Sequence, residues 1–336
     1  MILCQANTRY LIVLPRLENH FYPANFSSLY KNFVLLSCSS HSYTFAYCYY
    51  LPYIGLAWRR IGFEPVIFLV GSKRKFQKMP LIHVLNHDFR IKYHFINVDS
   101  SRSISTSQII RLFGGFMTFD EISTKETFII IGDVDLLPIT RRRFEINTNH
   151  TNYILAVNAY CCPNEEFSYE NFTNIHYYPM SYVGMRKALW KEIFLPLKYC
   201  SLSRNLTVNT IECYLKEKMN IYLPENVMKG SKQWDIDQKL LSLLLARTAS
   251  FYGTYIDKRD LGYRLDPNEN FLSTEFQSIL FYDDIHLPNK NDSIVFSNKT
   301  WLILKNAFSY LFNKKTIQLL SQYHQQTTIY VQNRRS

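Results

Sequence analysis

The stretch TFIIIGDVDLLP, residues 127–138, joins a run of apolar residues to two closely spaced carboxylates. Phe128–Ile131 is apolar throughout, which is typical of a strand buried on both faces of a parallel sheet. Gly132 ends the run, and Asp133 and Asp135 follow it. An uncompensated charge at the end of a buried strand is costly. The two carboxylates therefore indicate a functional site, with two solvated aspartates in a turn as the alternative.

Length and composition indicate a folded globular protein. The chain has 336 residues, 47% of them hydrophobic and 19% charged, so it can bury one large core or two modest ones. The formal net charge of +11 leaves nucleic acid, an anionic membrane or a phosphate-bearing ligand as partners to consider. The basic runs are short and far apart, and no nucleic-acid-binding signature accompanies them. We therefore expect no nucleic acid partner.

The sequence also predicts no membrane span in this chain. The longest uncharged run, residues 43–58, contains Pro52 and is shorter than the roughly 20 apolar residues that a spanning helix needs. The cysteines are odd in number and include no CxxC pair, so their spacing specifies neither a disulfide framework nor a zinc site.

Predicted strands alternate with predicted helices along the first half of the chain. The strands are predicted at 32–40, 64–72, 91–98, 127–135 and 153–160, and the helices at 50–62, 107–116 and 234–247, with 177–194 extended and then helical. Because parallel strands need crossover connections, this order predicts an α/β fold with a mostly parallel central sheet and helices on both faces. Such sheets bind ligands at the carboxyl ends of their strands, where Asp133 and Asp135 lie.

A second D-x-D copy, Asp235-Ile236-Asp237, differs from the first in its context. It follows a polar stretch and begins a predicted helix, where aspartate is a common N-cap or first-turn residue. The first copy lies where the chain leaves the sheet, so both of its carboxylates can converge on one hard cation. The first copy is therefore the better candidate for a metal site.

The buried strand, its D-x-D and the preceding helix with Ser107 and Arg111 resemble the GT-A nucleotide-sugar glycosyltransferases. Three later blocks are similar, in order, to the glycogenin-like family eight of these enzymes: SYVGMRKALWKEIF at 181–194, WDIDQKLL at 234–241 and DDIHLP at 283–288. The chain departs from that family where Ser-Tyr-Val replaces an asparagine before the glycine, and where its late histidine lacks the usual block with Gly, Lys and Trp.

The resemblance implies a metal-dependent hexosyltransferase. It would move a sugar from a nucleotide-diphosphate sugar to a hydroxyl of a glycan, protein or lipid acceptor, with retention, and would use Mn²⁺ or Mg²⁺ against the donor diphosphate. The implied residues are Asp133, Asp135 and His286 for the metal, Ser39 and Arg111 with both aspartates for the nucleotide sugar, and Asp237 and Gln238 for catalysis.

The resemblance spans roughly residues 33–288 and implies a single GT-A (Rossmann-like) domain at 31–290 with an elaborated C-terminal half. An N-terminal extension is expected at 1–30 and a C-terminal helical extension at 291–336. The implied localisation is the Golgi lumen if an N-terminal anchor is missing from this chain, and the cytoplasm otherwise.

Several of these residues also suit purely structural roles. Asp237 could cap the start of a helix, Arg111 could lie on a helix surface, and His286 could lie in a surface loop. Trp190 and Trp234 could be core residues. A catalytically silent nucleotide-sugar-binding relative would use the same residues. A phosphatase of the haloacid dehalogenase type also has a D-x-D after a buried strand, but near the start of its domain and with Thr or Val two residues later. Pro138 and the preceding strands and helices argue against a phosphatase.

Overall fold

A computed structural model gives the structure of residues 32–41, 45–116, 127–147, 150, 152–160, 166–169, 172–194, 207–231, 233–249, 254–260, 264–265, 282–287 and 295–335. The predicted N-terminal extension at 1–30 lies outside these described residues.

The described residues form strands and helices in an alternating order through the first half of the chain. The strands are β1 Asn32–Ser39, β2 Phe63–Val70, β3 Lys92–Ile96, β4 Phe128–Gly132, β5 Leu136–Pro138, β6 Tyr153–Val157, β7 Glu166–Tyr169, β8 Phe172–His176, β9 Tyr182–Arg186, β10 Tyr255–Arg259, β11 Arg264–Leu265 and β12 Asp284–His286. The α-helices are α1 Phe45–Arg60, α2 Lys73–Gln77, α3 Pro80–His83, α4 Ser103–Ile110, α5 Lys187–Phe194, α6 Val208–Met219, α7 Ile236–Ala249, α8 Asn298–Leu311 and α9 Lys314–Arg335.

Seven of these strands form one mixed sheet in the order β10-β6-β9-β4-β1-β2-β3. Strands β4, β1, β2 and β3 pair in parallel, and β10 pairs in parallel with β6. Strand β9 lies between β4 and β6 and runs antiparallel to both. The prediction of a mostly parallel central sheet is confirmed.

The two faces of the sheet carry separate hydrophobic cores. Alternate side chains of a strand point to opposite faces, and in β1 Val34 and Leu36 belong to one core while Phe33 and Leu35 belong to the other. Helices α1, α8 and α9 contribute to the first core, and α4, α5, α6 and α7 to the second. The predicted helices on both faces are therefore confirmed.

The helix predicted at 107–116 begins earlier and changes type before it ends. Helix α4 covers Ser103–Ile110, and a 3₁₀ turn continues it over Arg111–Phe116. This turn packs very closely on β1, since a Cβ added to Gly114 would lie 1.7 Å from Leu35 Cδ1. Arg111 thus lies at the junction between α4 and the 3₁₀ turn, held against the end of the sheet.

Helices α8 and α9 pack on α1 through aromatic side chains. The Tyr49 hydroxyl lies 2.8 Å from His324 Nδ1, and the His324 ring stacks on Trp301 with centroids 4.5 Å apart. Burial lowers the pKa of His324 to about 4, so this imidazole is neutral near pH 7. The C-terminal helices therefore share the core of the sheet.

Two further features bear on the membrane and cysteine predictions. None of the helices in the described part of the chain is both long and apolar enough to cross a membrane. Cys213 in α6 is disulfide-bonded, which the cysteine spacing did not indicate, whereas Cys38 and Cys48 are buried free thiols.

Candidate active site

A cavity of about 400 Å³ lies at the carboxyl ends of β1 and β4. Its described lining is Ser37, Cys38, Ser39, Tyr47, Ile104, Ser107, Gln108, Arg111, Asp133, Val134, Asp135, Met180, Lys229, Trp234, Asp237, Gln238 and His286. All seven site residues proposed from the sequence are among them, and their roles stay predictions.

The first D-x-D follows directly on β4, which ends at Gly132. The backbone N–H of Asp133 donates to the Ser181 carbonyl, and the N–H of Leu287 donates to the Asp135 carbonyl. Asp135 is only 8% exposed, and the Asp133 side chain is 35% exposed. Asp135 is therefore buried in the wall of the cavity, and Asp133 is partly exposed beside it.

Arg111 joins the two D-x-D copies inside the cavity wall. Its Nη1 lies 2.6 Å from Asp133 Oδ1 and 2.7 Å from the Gly132 carbonyl, and its Nη2 lies 3.2 Å from Asp237 Oδ2. Both Arg111 and Asp237 are almost fully buried. Arg111 is thus not a surface arginine. It connects Asp133 and Asp237, which are 104 positions apart in the sequence.

Burial and ion pairing shift the pKa of each group in this network in opposite directions. Burial raises the pKa of Asp237 to about 6, although the Arg111 cation lowers it. Burial also raises the pKa of Asp133, against the same cation, and the nearby Asp135 charge raises it further. For Arg111, burial lowers the pKa, but both carboxylates more than offset that and raise it. Near pH 7, above the Asp237 pKa, the Asp237 carboxylate is therefore mostly ionised beside the Arg111 guanidinium.

Asp237 lies in the first turn of α7, which begins at Ile236. Its Oδ1 accepts from the Gln238 N–H at 2.9 Å, so part of its role is local, as expected for an aspartate near a helix start. Its other oxygen faces Arg111. The carboxylate therefore serves the cavity as well as the helix.

Strand pairing brings His286 to the D-x-D. Strand β12 runs antiparallel to β5, with His286 opposite Leu136, the residue after Asp135. His286 Nε2 lies 3.5 Å from Asp135 Oδ2. Asp135 and His286 are therefore neighbours in space, although about 150 positions separate them in the sequence.

Asp135 and His286 are suitably spaced for one divalent ion. With ligand distances of about 2.0–2.4 Å, two adjacent ligands of one ion lie roughly 3 Å apart. Among the described residues, however, no three Cys, His, Asp or Glu side chains already surround a common point, and Asp133 bonds to Arg111. Sites for Mg²⁺ and similar ions commonly use one or two protein ligands and complete their shell with water and substrate phosphates. The residues present fit such a site.

Comparison with protein-family models and with curated proteins finds no match. Among solved structures, the chain is similar to the galactosyltransferase LgtC in complex with donor and acceptor sugar analogues, with a TM-score of 0.45, 13% identity, and coverage of 82% of this chain and 95% of that one. It is also similar to the bifunctional glycosyltransferase WbbM, with a TM-score of 0.44, 10% identity, and coverage of 88% of this chain and 52% of that one. At this level of similarity, function has to be argued from the site itself.

Sequence reasoning missed several residues of the cavity. Trp190 is a core residue, as expected, but Trp234 lines the cavity, and its carbonyl accepts from Gln108 Nε2 at 2.7 Å. Gln108 lies one helical turn before Arg111 and so on the same helix face, and this spacing could have indicated that it lines the cavity. Tyr47 and Lys229 belong to segments that carry no motif, and only the folded chain brings them to the cavity.

Proposed function

We propose that this protein is a metal-dependent glycosyltransferase that moves a sugar from a nucleotide-diphosphate sugar to an acceptor hydroxyl, with retention. The observation that supports this most is the buried Arg111, which joins Asp133 and Asp237 in one cavity beside Asp135 and His286. The acceptor would be a glycan, a protein or a lipid.

On the donor side, Asp133, Asp135 and His286 would hold Mn²⁺ or Mg²⁺ against the diphosphate. Such an ion would neutralise the charge that develops on the leaving diphosphate. Ser39 lies at the end of β1 and donates to Ser103 Oγ at 2.8 Å, which fixes its hydroxyl on the cavity wall. Arg111 would align the Asp133 and Asp237 carboxylates toward the hydroxyls of the sugar.

In the transfer, the bond from the anomeric carbon to the diphosphate oxygen breaks, and a bond forms to the acceptor oxygen. The acceptor proton leaves with the departing diphosphate. An inverting reaction would need a carboxylate placed as general base for the acceptor. Within the described lining, Asp133 and Asp237 both bond to Arg111, and Asp135 faces His286. This favours retention, and the anomeric configuration of the product, read by NMR, tests it.

The alternatives have less support from the site. In a phosphatase, the first aspartate of the motif would be the nucleophile, but Asp133 Oδ1 is bonded to the Arg111 guanidinium, which weakens a nucleophile. A catalytically silent binder would keep the same contacts, so only turnover separates it from a transferase.

The first test is donor cleavage with and without metal. We expect at least one nucleotide-diphosphate sugar of a panel to be hydrolysed slowly with Mn²⁺ and faster when an acceptor is present, and we expect a chelator to stop both reactions. The same donor should raise the unfolding temperature only with metal, because a ligand that binds the folded state stabilises it. Stabilisation without cleavage or transfer would indicate a silent binder. No response to any donor would contradict the proposal.

Asp237→Asn should lower kcat by on the order of 100-fold, the range seen for lost transition-state contacts. Donor affinity should change much less, because Asn keeps the size of the side chain and an acceptor for the Gln238 N–H. The measurement is kcat and the donor KM, together with direct donor binding. If the carboxylate only supports the helix, turnover will stay at the wild-type level, since Asn is equally suitable there.

A further inference from the structure

Lys229 contacts Tyr47 in the lining of the cavity. It belongs to the segment 220–235 between α6 and α7, whereas Tyr47 lies in the first turn of α1. The Lys229 ammonium donates to the Tyr47 hydroxyl at 3.4 Å and lies 6.0 Å from the centroid of the Tyr47 ring. Both side chains are half-buried and line the cavity.

The segment that carries Lys229 is anchored to α4 and to the 3₁₀ turn Ser100–Arg102 before it. The Asn226 N–H donates to the Ser101 carbonyl at 2.7 Å, and Ser105 Oγ donates to the Pro224 carbonyl at 2.6 Å. Leu223 and Val227 are each only 3% exposed. The backbone just before Lys229 is therefore held against α4 before any ligand binds.

The charges of the cavity indicate what Lys229 binds. The described lining contains the carboxylates of Asp133, Asp135 and Asp237 and the cations of Arg111 and Lys229. Arg111 is buried between two of the carboxylates, which share its charge. An anionic ligand that enters this acidic cavity needs further positive charge beside it. Lys229 supplies a cation on the wall formed by α1 and the segment 220–235.

We propose that Lys229, positioned by Tyr47, binds the diphosphate of the donor. This inference rests on the proposed function, because it assigns a residue to the leaving group of that reaction. An ammonium donates charge-assisted hydrogen bonds to phosphate oxygens, and the contact with Tyr47 places this ammonium in the lining of the cavity. Lys229 thereby contributes to the choice of a diphosphate donor over an uncharged sugar.

The experiment measures the binding of inorganic pyrophosphate with Mn²⁺ by isothermal titration calorimetry. Lys229→Met should weaken pyrophosphate binding at least about tenfold, as expected for the loss of charge-assisted hydrogen bonds. Lys229→Arg should retain most of the affinity, and Tyr47→Phe should lose less than Lys229→Met. With a donor that is turned over, Lys229→Met should raise KM more than it lowers kcat.

Lys216→Met is the matched control. Lys216 also lies over a tyrosine, 4.6 Å from the Tyr222 ring centroid, but it is outside the described lining of the cavity. Its loss changes the net charge equally and should leave pyrophosphate affinity unchanged.

The assignment of Lys229 is overturned if Lys229→Met binds pyrophosphate as tightly as the wild type does. It is also overturned if Lys216→Met weakens binding as much as Lys229→Met does. Failure of the wild type to bind pyrophosphate overturns it as well. If the wild type binds pyrophosphate through Lys229 but cleaves no nucleotide sugar, the transferase proposal fails while the diphosphate site remains.

Discussion

Asp135→Asn is expected to lower kcat/KM for sugar transfer by about a thousandfold, which corresponds to about 4 kcal/mol of lost charge stabilisation. Asp135 faces His286 at 3.5 Å and would share with it the ion that balances the leaving diphosphate. The fold should be almost unaffected, because Asn has the same size and the Asp135 charge adds to the repulsion felt by Asp133. We expect the unfolding temperature to stay within about 2 °C of the wild type.

Asp235→Asn is the matched control for this prediction. Asp235 begins the second D-x-D copy and pairs only loosely with Lys239, at 3.9 Å on the helix surface. The same change of charge there should leave transfer at the wild-type level, since a surface pair of this kind contributes little. Wild-type turnover of Asp135→Asn at limiting Mn²⁺ would mean that the metal lies elsewhere.

Much of the sheet could be predicted because its strands carry strong local signals. The apolar run Phe128–Ile131 is buried on both faces, as its composition indicates, and it pairs in parallel with β1. The start of α1 was predicted too late, at residue 50 instead of Phe45. The burial of its first turns depends on α9, which is distant in sequence and packs on Tyr49 through Tyr323.

The sequence could predict those site residues that belong to recognisable local motifs. Asp133, Asp135 and Asp237 were found because D-x-D and D-Q are recognisable locally. The link that Arg111 makes between them depends on the packing of α4 between β1 and α7, which no local pattern specifies. Lys229 has no motif at all, and its segment is fixed by backbone bonds to the turn before α4. Contacts of this kind become visible only in the folded chain.

Arg111→Met should lower the free energy of unfolding by about 3–5 kcal/mol at pH 8, the range for removing one partner of a buried ion pair. The substitution leaves the Asp237 carboxylate, only 3% exposed, without its cation, and it removes a donor from the Gly132 carbonyl. Arg102→Met is the control. Arg102 pairs with Glu212, Asp99 and Glu225 at 2.5, 3.1 and 3.7 Å, but its side chain is 27% exposed and reaches water. Its loss should therefore cost about 1 kcal/mol.

The cost of Arg111→Met should also depend on pH. The pKa of Asp237 is already raised to about 6 with Arg111 beside it, and loss of the cation raises it further. Between the ordinary aspartate value and this raised pKa, the folded state binds more protons than the unfolded state, so stability increases as the pH falls. Denaturant unfolding should therefore show a smaller loss of unfolding free energy in Arg111→Met at pH 5 than at pH 8.

Adding Asp237→Asn to Arg111→Met should recover part of the loss at pH 8, because no buried carboxylate then remains at that position. A deficit that is equal at both pH values, or no larger than that of Arg102→Met, would show that the Arg111 cation does not hold this network together.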